Sequence, residues 1–509
     1  MLTSGRRDPT LASMAHFVTD RSTRHPSIIQ GGMGIAVSDW KLARAVSRAG
    51  QLGIVSGTAI NSVLVRRLQD GDPGGHMRRA LRAFPSSSIA QKILDTYFIE
   101  AGKPTTDAYK LSPLFQIKPS TFLLQLTVAA TFVEVYLAKE GHSGLVGLNL
   151  LEKIQLPNLA CLYGGLLADV DYVVMGAGIP REIPGALDLL SQHLPARLKI
   201  PVEGASPDSE HFTNFEPEVV MEGRLPQSLK RPFFFPIVSS AVLATSLKKK
   251  STGEVNGFIV EGPVAGGHNA PPRGPLKLSE AGEPIYGPRD EVSFADMLEI
   301  GLPFWFAGSY ATPERLKQVT EAGGQGVQVG TLFAFSQESG LDSRLKAAVL
   351  EGIRTDQYKN WIFTDPVSSP TGFPFKAVRL EGSMSELQVY EKRKRICDLG
   401  YLRHAYQDAS GKVGLRCPAE PVDHYVKKGG LLDETKGRKC LCNALMADIG
   451  MGQIQFGDQL ELPLLTAGDD LNQLHRILGN HLSYSALDVL NYMASGSQIQ
   501  IVSSQDILL

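Results

Sequence analysis

One arrangement recurs eight times over the first 365 residues: a short apolar run, a glycine-containing loop and a stretch of helical periodicity. The runs are rich in Val, Ile, Leu and Phe without polar alternation, which is typical of strands buried on both faces. Helices between such strands indicate parallel pairing. Eight units predict an α/β fold, a closed (β/α)₈ TIM barrel, with a doubly wound open sheet as the competing architecture. The runs lie at 27–34, 52–57, 145–151, 171–178, 233–240, 257–263, 303–309 and 326–331.

The spacing of the runs also predicts how the chain is divided. An N-terminal arm at 1–25 precedes the barrel at 26–365, and a C-terminal extension at 366–509 follows it, where the repeated arrangement stops. The barrel carries two predicted insertions, a mostly helical one at about 60–127 and a second at 204–232. The sequence leaves open whether the first is a lid or a dimer arm. The stretch 197–203 is a ninth candidate strand, so the count of eight could be off by one.

Composition excludes several classes of protein. A hydrophobic fraction of 43% and a charged fraction of 20% predict a globular chain with a substantial core. The formal net charge of −1 argues against nucleic acid or an anionic membrane as a partner recognised by charge. No run approaches the ~20 apolar residues of a membrane span, and the first residues lack the apolar centre of a secretory signal. We therefore expect a cytoplasmic protein, and a homodimer is compatible with the sequence.

Glycines cluster where the predicted strands end, which is the end of a (β/α)₈ barrel that carries the active site. Glycine lets the backbone approach a ligand closely or adopt positive φ. The loops after the seventh and eighth strands commonly bind phosphate, and here they offer Gly308 with Ser309 and Gly330 with Thr331. Any one of these glycines alone indicates only a tight turn. The pair after the last two strands predicts a phosphate site.

Five segments in fixed order resemble a known family. They are "PSIIQGGMGIAVSDWKLARAVSRAGQLGIVSG", "VGLNLL", "VDYVVMGAGIP", "VEGPVAGGHNAPPRG" and "GGQGVQVGTLFAFSQESG". Together they resemble the nitronate monooxygenase (2-nitropropane dioxygenase) family over roughly residues 26–340. The relatives of that family include FMN-dependent enoyl-acyl-carrier-protein reductases. The region that begins "TDPVSSPTGFPFK" is similar to a long-chain subgroup of the family.

The resemblance implies a TIM barrel that holds FMN non-covalently and a catalytic histidine at His268. An imidazole titrates in the range needed to remove an acidic C–H proton or to stabilise an anion. Without the flanking motif, a structural histidine at a strand end would be the better interpretation. The flavin contacts implied by the resemblance are Gly31, Gly32, Met33, Asn149, Gly266, Gly267, Gly308, Ser309, Gly330 and Thr331.

The sequence departs from short members of the family at two places. The segment "NAPPRG" after His268 lengthens a loop that is compact in those members, and Asn269 and Arg273 in it are candidates for selecting a different substrate. Ser309 stands where a glycine is common, which keeps a hydroxyl or N–H contact to phosphate but narrows the turn geometry.

Four of the five cysteines lie within 46 residues of the C-terminal extension. Four thiols are the coordination number of structural zinc or of an iron–sulfur cluster. Intervening lengths of 19, 22 and 1 residues are not those of a zinc ribbon, and buried free cysteines acting as small hydrophobes are the alternative. If a metal is bound, iron–sulfur is favoured over zinc. The four residues are Cys397, Cys417, Cys440 and Cys442.

Three functions remain open from the sequence. The first is a flavin-dependent oxidation of a small carbanionic substrate of nitronate type, with His268 as base and O₂ reoxidising the flavin. The second is an NAD(P)H-dependent enoyl reductase in lipid or polyketide assembly, which would bring an acyl carrier protein as partner. The third is a non-catalytic barrel whose cysteine region is an interaction module.

Overall fold

The computed structural model describes residues 25–502, so the predicted N-terminal arm at 1–25 lies, except for its last residue, outside the described residues. Each of the eight predicted apolar runs contains a strand of the central sheet. The strands are β1 Ile28–Gln30, β2 Gly53–Ser56, β3 Val146–Leu151, β4 Tyr172–Gly176, β5 Ala196–Lys199, β6 Val202–Glu203, β7 Phe212–Phe215, β8 Phe233–Val238, β9 Phe258–Glu261, β10 Gly267–His268, β11 Phe304–Ala307, β12 Gly326–Val329, β13 Ile362–Asp365, β14 Phe375–Val378, β15 His404–Gln407 and β16 Val413–Arg416.

Eight of these strands form one parallel sheet in the order β1-β12-β11-β9-β8-β4-β3-β2. Hydrogen bonds then join the two ends of this order, because Gln30 N–H donates to the Leu52 carbonyl at 2.9 Å and Leu52 N–H donates to the Ile28 carbonyl at 3.2 Å. The sheet is therefore closed, and the predicted (β/α)₈ barrel is confirmed against the open doubly wound sheet.

Large side chains fill the barrel, as in other barrels of this size. Ile29, Ile54, Phe235 and Trp305 form one buried cluster in its interior with neighbouring strand residues. The end at which the strands begin is closed by residues 25 and 26. The Tyr172 hydroxyl lies 2.9 Å from His25 Nδ1, and Trp305 Nε1 donates to the Pro26 carbonyl at 2.9 Å. The opposite end of the barrel, where the strands end, is open to a cavity.

Helices surround the barrel because each strand is followed by a segment with one apolar face. The first, Trp40–Arg48, begins at a side-chain cap, because Asp39 accepts from the N–H groups of Lys41 and Leu42. The helices are α1 Trp40–Arg48, α2 Ile60–Gln69, α3 His76–Ala83, α4 Ser87–Tyr97, α5 Thr121–Lys139, α6 Gln155–Leu167, α7 Ile183–Ser191, α8 Pro217–Val220, α9 Ala241–Lys250, α10 Phe294–Ile300, α11 Pro313–Glu321, α12 Thr331–Ala334, α13 Ser343–Arg354, α14 Leu387–Lys392, α15 Val422–Lys427, α16 Leu441–Ala447, α17 Leu474–Leu478 and α18 Ala486–Ala494. Short 3₁₀ helices lie at Pro73–Gly75, Pro288–Asp290, Leu432–Thr435, Phe456–Asp458 and Asp469–Gln473.

Helix α5 is the longest helix of residues 25–502 and differs from the others there in being apolar on nearly all sides. By length and composition it is the one helix in residues 25–502 that could cross a membrane, with a mean hydropathy of 1.6. In the fold it is a core helix, since 78% of that stretch is buried and it packs against α1, α2, α3 and α6. A helix that is hydrophobic all round is expected at such a buried position.

The remaining strands lie outside the barrel. The ninth candidate strand at 197–203 is one of these: β5 pairs antiparallel with β7, and β6 pairs with β15 of the hairpin β15–β16. It therefore does not change the count of eight. A third small sheet has the order β10-β14-β13 and joins the loop after β9 to the C-terminal region. The proposed boundary between 365 and 366 falls between the paired strands β13 and β14 and stays a prediction.

The start of β12 gives a test of the barrel closure. A Cβ added at Gly326 would overlap the carbonyl oxygen of Ser27, which is backbone and cannot turn aside. We expect Gly326→Ala to cost on the order of 1–3 kcal/mol and to lower the thermal midpoint measurably. The matched control is Gly287→Ala, where an added Cβ would meet nothing within 4 Å and φ is −139°. Equal midpoints for the two variants would contradict the close β1–β12 packing.

Candidate functional site

A cavity of about 220 Å³ lies over the carboxyl ends of the barrel strands. All eleven residues that the sequence assigned to flavin or catalysis line it: Gly31, Gly32, Met33, Asn149, Gly266, Gly267, His268, Gly308, Ser309, Gly330 and Thr331. They come from the ends of five barrel strands or the loops after them, namely β1, β3, β9, β11 and β12. The structure thus brings the predicted set together around one cavity.

The C-terminal extension forms the opposite wall of the same cavity. Its lining residues are mostly apolar, and include Phe375, Tyr401, Leu402, Leu441, Cys442, Leu445, Leu465, Ala467 and Gly468. The segment around 465–469 is held close to the barrel by backbone hydrogen bonds. Asp469 N–H donates to the Val264 carbonyl at 3.0 Å, and Gly468 N–H donates to Thr331 Oγ1 at 2.9 Å. The extension is therefore a structural part of the site.

His268 is placed by a strand that the sequence did not predict. Gly267 and His268 form β10, which pairs antiparallel with Lys376 and Phe375 of β14. Gly267 has φ +79°, a conformation that costs glycine little and other residues much, and a Cβ there would meet nothing within 4 Å. The glycines of the "AGGH" segment therefore turn the chain so that the histidine is held by the extension.

The imidazole of His268 sits in an apolar surrounding with one polar partner. Its Nε2 lies 2.7 Å from Ser369 Oγ, and its ring meets that of Phe375 edge to face at 4.9 Å. Burial lowers the pKa of His268 to about 4. The ring is consequently neutral at pH 7, and one nitrogen is bound to the serine hydroxyl while the other, Nδ1, is left for another partner.

Ser309 combines two unusual properties at the end of β11. Its backbone is left-handed, with φ +57°, which is costly for a residue with a Cβ and common at ligand sites. Its Oγ is buried without a hydrogen-bond partner, as is Oε1 of Gln328 on the neighbouring strand β12. Both residues line the cavity. Buried polar atoms are almost always satisfied, so this pair indicates that a ligand with polar edges belongs here.

Three carboxyl groups line the cavity, while in the described part of the chain no Lys or Arg side chain does. Glu261 ends β9, and Asp448 and Asp470 come from the extension. Burial raises the pKa of Glu261 to about 7 and that of Asp470 to about 7, and it raises the pKa of Asp448 well above its usual range. The cavity therefore holds protons near neutral pH and disfavours additional negative charge.

The predicted phosphate loop already faces one of these carboxyls. Backbone N–H groups of Ser309 and Ala311 are directed at the side chain of Asp470. A phosphate at the same N–H groups would meet the ionised carboxylate of Asp470. Because the pKa of Asp470 is about 7, its protonated form is well populated at neutral pH and removes part of this repulsion.

Asn269 and Arg273, which the sequence suggested as substrate-selecting residues, do not line the cavity. Asn269 is buried, and its Nδ2 donates to the Ala265 carbonyl at 2.9 Å. Arg273 reaches the Ser239 carbonyl at 2.6 Å, and its N–H donates to Asp290 at 2.8 Å. Both residues hold the long loop in place, so the hypothesis that they select the substrate gains no support.

The four clustered cysteines converge in space. Cys397, Cys417, Cys440 and Cys442 all line one small cavity of about 10 Å³, although they come from three separate segments. Within residues 25–502, however, no group of three or more His, Cys, Asp or Glu side chains is positioned to hold a metal ion. The zinc and iron–sulfur predictions therefore gain no support from the side-chain positions as they stand. Without a partner, burial raises the pKa of the Cys397 thiol to about 12.

Several residues of the site were not predicted from the sequence. Glu261 and Gln328 could have been noticed in the sequence, since Glu261 is a polar residue at the end of the apolar strand in "FIVEG" and Gln328 is one within the apolar strand in "GVQVG". Ser369, Asp448 and Asp470 carried none. They lie 101 to 209 positions from the residues they meet or neighbour in the cavity, and no local pattern marks them.

Comparisons with known proteins gave no match to a family model or to a curated protein. Among solved structures, the chain is similar to FabK from Thermotoga maritima at 14% identity, covering 92% of this chain and 91% of that chain, with a TM-score of 0.44. It is similar to nitroalkane oxidase from Streptomyces ansochromogenes at 14% identity, with coverages of 92% and 95% and a TM-score of 0.43. The enoyl reductase domain of MlnA from the macrolactin biosynthesis cluster of Bacillus amyloliquefaciens matches at 10% identity, with coverages of 92% and 94% and a TM-score of 0.44. At these values no reaction is transferred, and the barrel is assigned from its own strand pairing.

The raised pKa of Glu261 makes stability depend on pH. The folded chain holds this proton up to about pH 7, whereas the unfolded chain releases it near 4.5, so the free energy of unfolding falls as pH rises between these values. Glu261→Gln removes the effect. We expect the variant to gain up to ~3 kcal/mol relative to the parent between pH 5 and pH 8. Thermal unfolding at both pH values measures this, with the exposed Glu280→Gln as control; a pH-independent difference would count against a buried, protonated Glu261.

Proposed function

We propose that this chain binds FMN in the cavity over the barrel and catalyses an oxidoreductase reaction beside His268. Three features support the proposal: the glycine-rich strand ends that surround the cavity, the position of His268 among them, and the unsatisfied polar atoms in the lining. The resemblance of five sequence segments to the nitronate monooxygenase family agrees with it.

The lining fits a flat ring system with polar edges. Ser309 Oγ and Gln328 Oε1 are buried polar atoms in need of partners, and an isoalloxazine ring would offer them. Gly31 and Gly267 leave room beside the strand ends, since a Cβ at Gly31 would be in ordinary contact and one at Gly267 would meet nothing. The residues that would hold FMN are the ten predicted from the sequence, with Gln328 added. The chemistry that FMN supplies when bound is the transfer of a hydride.

The charge of the residues that line the cavity favours one of the two candidate reactions, enoyl reduction, over the oxidation of a nitronate. Three carboxyl groups and no cationic side chain among the described lining residues leave a nitronate, which is an anion, without a positive side chain to pair with, whereas the phosphate of FMN would be held by backbone N–H groups. An enoyl compound, with a carbon–carbon double bond conjugated to a carbonyl, is neutral. We infer that the function supported best is reduction of such an enoyl substrate with NAD(P)H as donor.

The residues of the cavity suit the proton side of that reaction. The overall change adds a hydride from NAD(P)H to one alkene carbon and a proton to the other, leaving NAD(P)⁺ and the saturated product. Neutral His268 can donate a hydrogen bond from its ring N–H to the substrate carbonyl, and Ser369 fixes the orientation of the ring. Glu261, with a pKa of about 7, can supply the proton and regain it from water.

Oxidation of a nitroalkane is the second candidate, and one observation favours it. The pKa of His268 is about 4, so its imidazole is unprotonated at pH 7 and free to accept an acidic C–H proton. A nitroalkane in its neutral form would avoid the charge conflict, with O₂ as the final electron acceptor. A non-catalytic barrel is the weakest candidate, because it gives no reason for the left-handed Ser309 or the unsatisfied atoms. An acyl carrier protein as partner follows only from the first candidate.

The position of Asp470 predicts how FMN affinity responds to pH. If the phosphate lies at the N–H groups of Ser309 and Ala311, ionisation of Asp470 above pH 7 repels it. We expect Asp470→Asn to tighten FMN binding several-fold at pH 8 and little at pH 6, measured by flavin fluorescence titration of the stripped protein. If Asp470→Asn bound FMN no more tightly than the parent at pH 8, or by the same factor at pH 6 and pH 8, the phosphate would lie elsewhere.

Anaerobic reduction experiments test the reaction. We expect NAD(P)H to bleach the bound flavin rapidly and a short enoyl thioester to reoxidise it, while a nitronate does neither. His268→Ala should retain flavin but slow reoxidation by about 10²- to 10⁴-fold, and Ser369→Ala should slow it less. The exposed His475→Ala is the matched control. Bleaching by a nitroalkane alone would favour the second candidate, and a colourless protein that takes up no flavin would refute both.

A further inference from the structure

The cavity wall that the C-terminal extension supplies has one acidic side chain on an otherwise apolar helix face. Leu441, Leu445 and Asp448 follow one another at i, i+4 and i+7 along α16, so they lie on one face of it, and all three line the cavity over the barrel. Asp448 is the C-cap residue of α16. The carbonyl groups at a helix C-terminus repel a carboxylate, so helix stability gives no reason for an acid at this position.

The carboxyl group of Asp448 is buried without a complete set of partners. The residue is 2% exposed, and its Oδ1 has no hydrogen-bond partner among the described residues. The main chain holds the residue in place, because Asp342 N–H donates to the Asp448 carbonyl at 2.8 Å and Asp448 N–H donates to the Ala444 carbonyl at 3.0 Å. A buried polar atom without a partner is destabilising, so this position indicates that a ligand supplies the missing hydrogen bond.

The position of Asp448 in the cavity favours a contact with the substrate over a contact with the flavin. The unsatisfied polar atoms that would serve FMN lie on the barrel side, in Ser309 after β11 and in Gln328 of β12. Asp448 lies on the wall that the extension forms. The inference rests on the proposed function: if FMN lies against the strand ends, a substrate that stacks on its ring lies between the flavin and the extension.

The surroundings of Asp448 determine which chemical group fits there. Burial raises the pKa of its carboxyl well above the usual range, so the group holds its proton. A neutral carboxyl donates one hydrogen bond through its O–H and accepts another through its C=O. A hydroxyl or a secondary amide also donates and accepts, and neither carries a charge. An anionic group would add charge to a cavity that already holds three carboxyls, and an aliphatic group would leave Oδ1 unpaired.

We propose that Asp448 selects enoyl substrates that carry a neutral hydroxyl or secondary amide, and that its carboxyl exchanges hydrogen bonds with that group. The group belongs either to the acyl chain or to the thiol portion of a thioester substrate. A substrate with a plain hydrocarbon chain and a plain thiol leaves the carboxyl of Asp448 unpaired. Sites built to hydrogen-bond one polar group of a substrate reject the analogue that lacks it, because the buried polar group of the protein then has no partner.

Calorimetric titration of the full-length protein with saturated thioesters, which bind without turnover, tests the proposal. The hexanoyl thioester of ethanethiol is compared with a series that carries a hydroxyl at each successive chain carbon, and with the hexanoyl thioester of N-acetylcysteamine, which adds an amide to the thiol portion. We expect at least one polar ligand to bind about 10-fold or more tightly than the plain one. Asp448→Leu should abolish this preference, and Asp448→Asn should retain part of it, since an amide also donates and accepts. The matched control is Asp423→Leu, whose aspartate side chain is 83% exposed, and it should keep the preference of the parent.

The comparison on the unmodified chain decides the proposal even if a variant fails to fold. Equal affinities of the plain and the polar thioesters would overturn it, and a preference that survives in Asp448→Leu would remove Asp448 from the contact. A preference within the hydroxyl series assigns the group to the acyl chain, and one for the amide assigns it to the thiol portion. A preference that depends on Asp448 in a protein that does not reduce enoyl thioesters refutes the proposed reaction alone, whereas reduction without a preference refutes this inference alone.

Discussion

The contact between Gly266 and the backbone at Ala467 and Gly468 is the constraint on which the rest of the site depends. A Cβ on Gly266 would lie 2.6 Å from the carbonyl carbon of Ala467 and 2.8 Å from the nitrogen of Gly468. Two stretches of backbone, about 200 residues apart in the sequence, therefore touch directly, and side chains on either would separate them. The salt bridge of 2.7 Å between Lys376 and Asp469 holds the same segment from its other side. This contact fixes the distance between the C-terminal extension and the strand ends of the barrel.

The C-terminal extension changes the electrostatics of the cavity over the carboxyl ends of the barrel strands. It brings Asp448 and Asp470 over strand ends that already carry Glu261, and Asp448 is fully buried while the other two are partly buried. Without a cation in the described lining, each carboxyl is relieved by holding its proton, which is why the pKa values of Glu261 and Asp470 rise to about 7. Burial also keeps His268 neutral. The extension thus contributes to the protonation states of the three carboxyls and of His268.

The barrel could be predicted from the sequence because its signal is local. Strands buried on both faces, such as "GFIVEG", and caps such as Asp39 are readable within about ten residues. The ligand site at the strand ends could also be predicted, because the same apolar runs end in glycines. The residues that tune it could not be predicted, since Ser369 and Asp470 reach the site only through the pairing of β10 with β14 and the packing of residue 266. Both contacts join residues that are far apart in the sequence, and neither produces a periodic pattern of apolar residues. The two-residue strand β10 looks like an irregular loop in the sequence.

Because the barrel and the C-terminal extension each supply part of the site, the barrel alone does not determine the function. The glycines at the strand ends form a cradle for a ligand, and many barrels with such ends could do so. The partner of His268, the ring that packs against it and two of the three carboxyls all belong to residues after 365. A chain that shared the "AGGH" segment but lacked this extension would hold its histidine in water, with a different pKa and a different orientation. The proposed flavin site is thus formed mainly by the barrel, whereas the surroundings of His268 are determined by the extension.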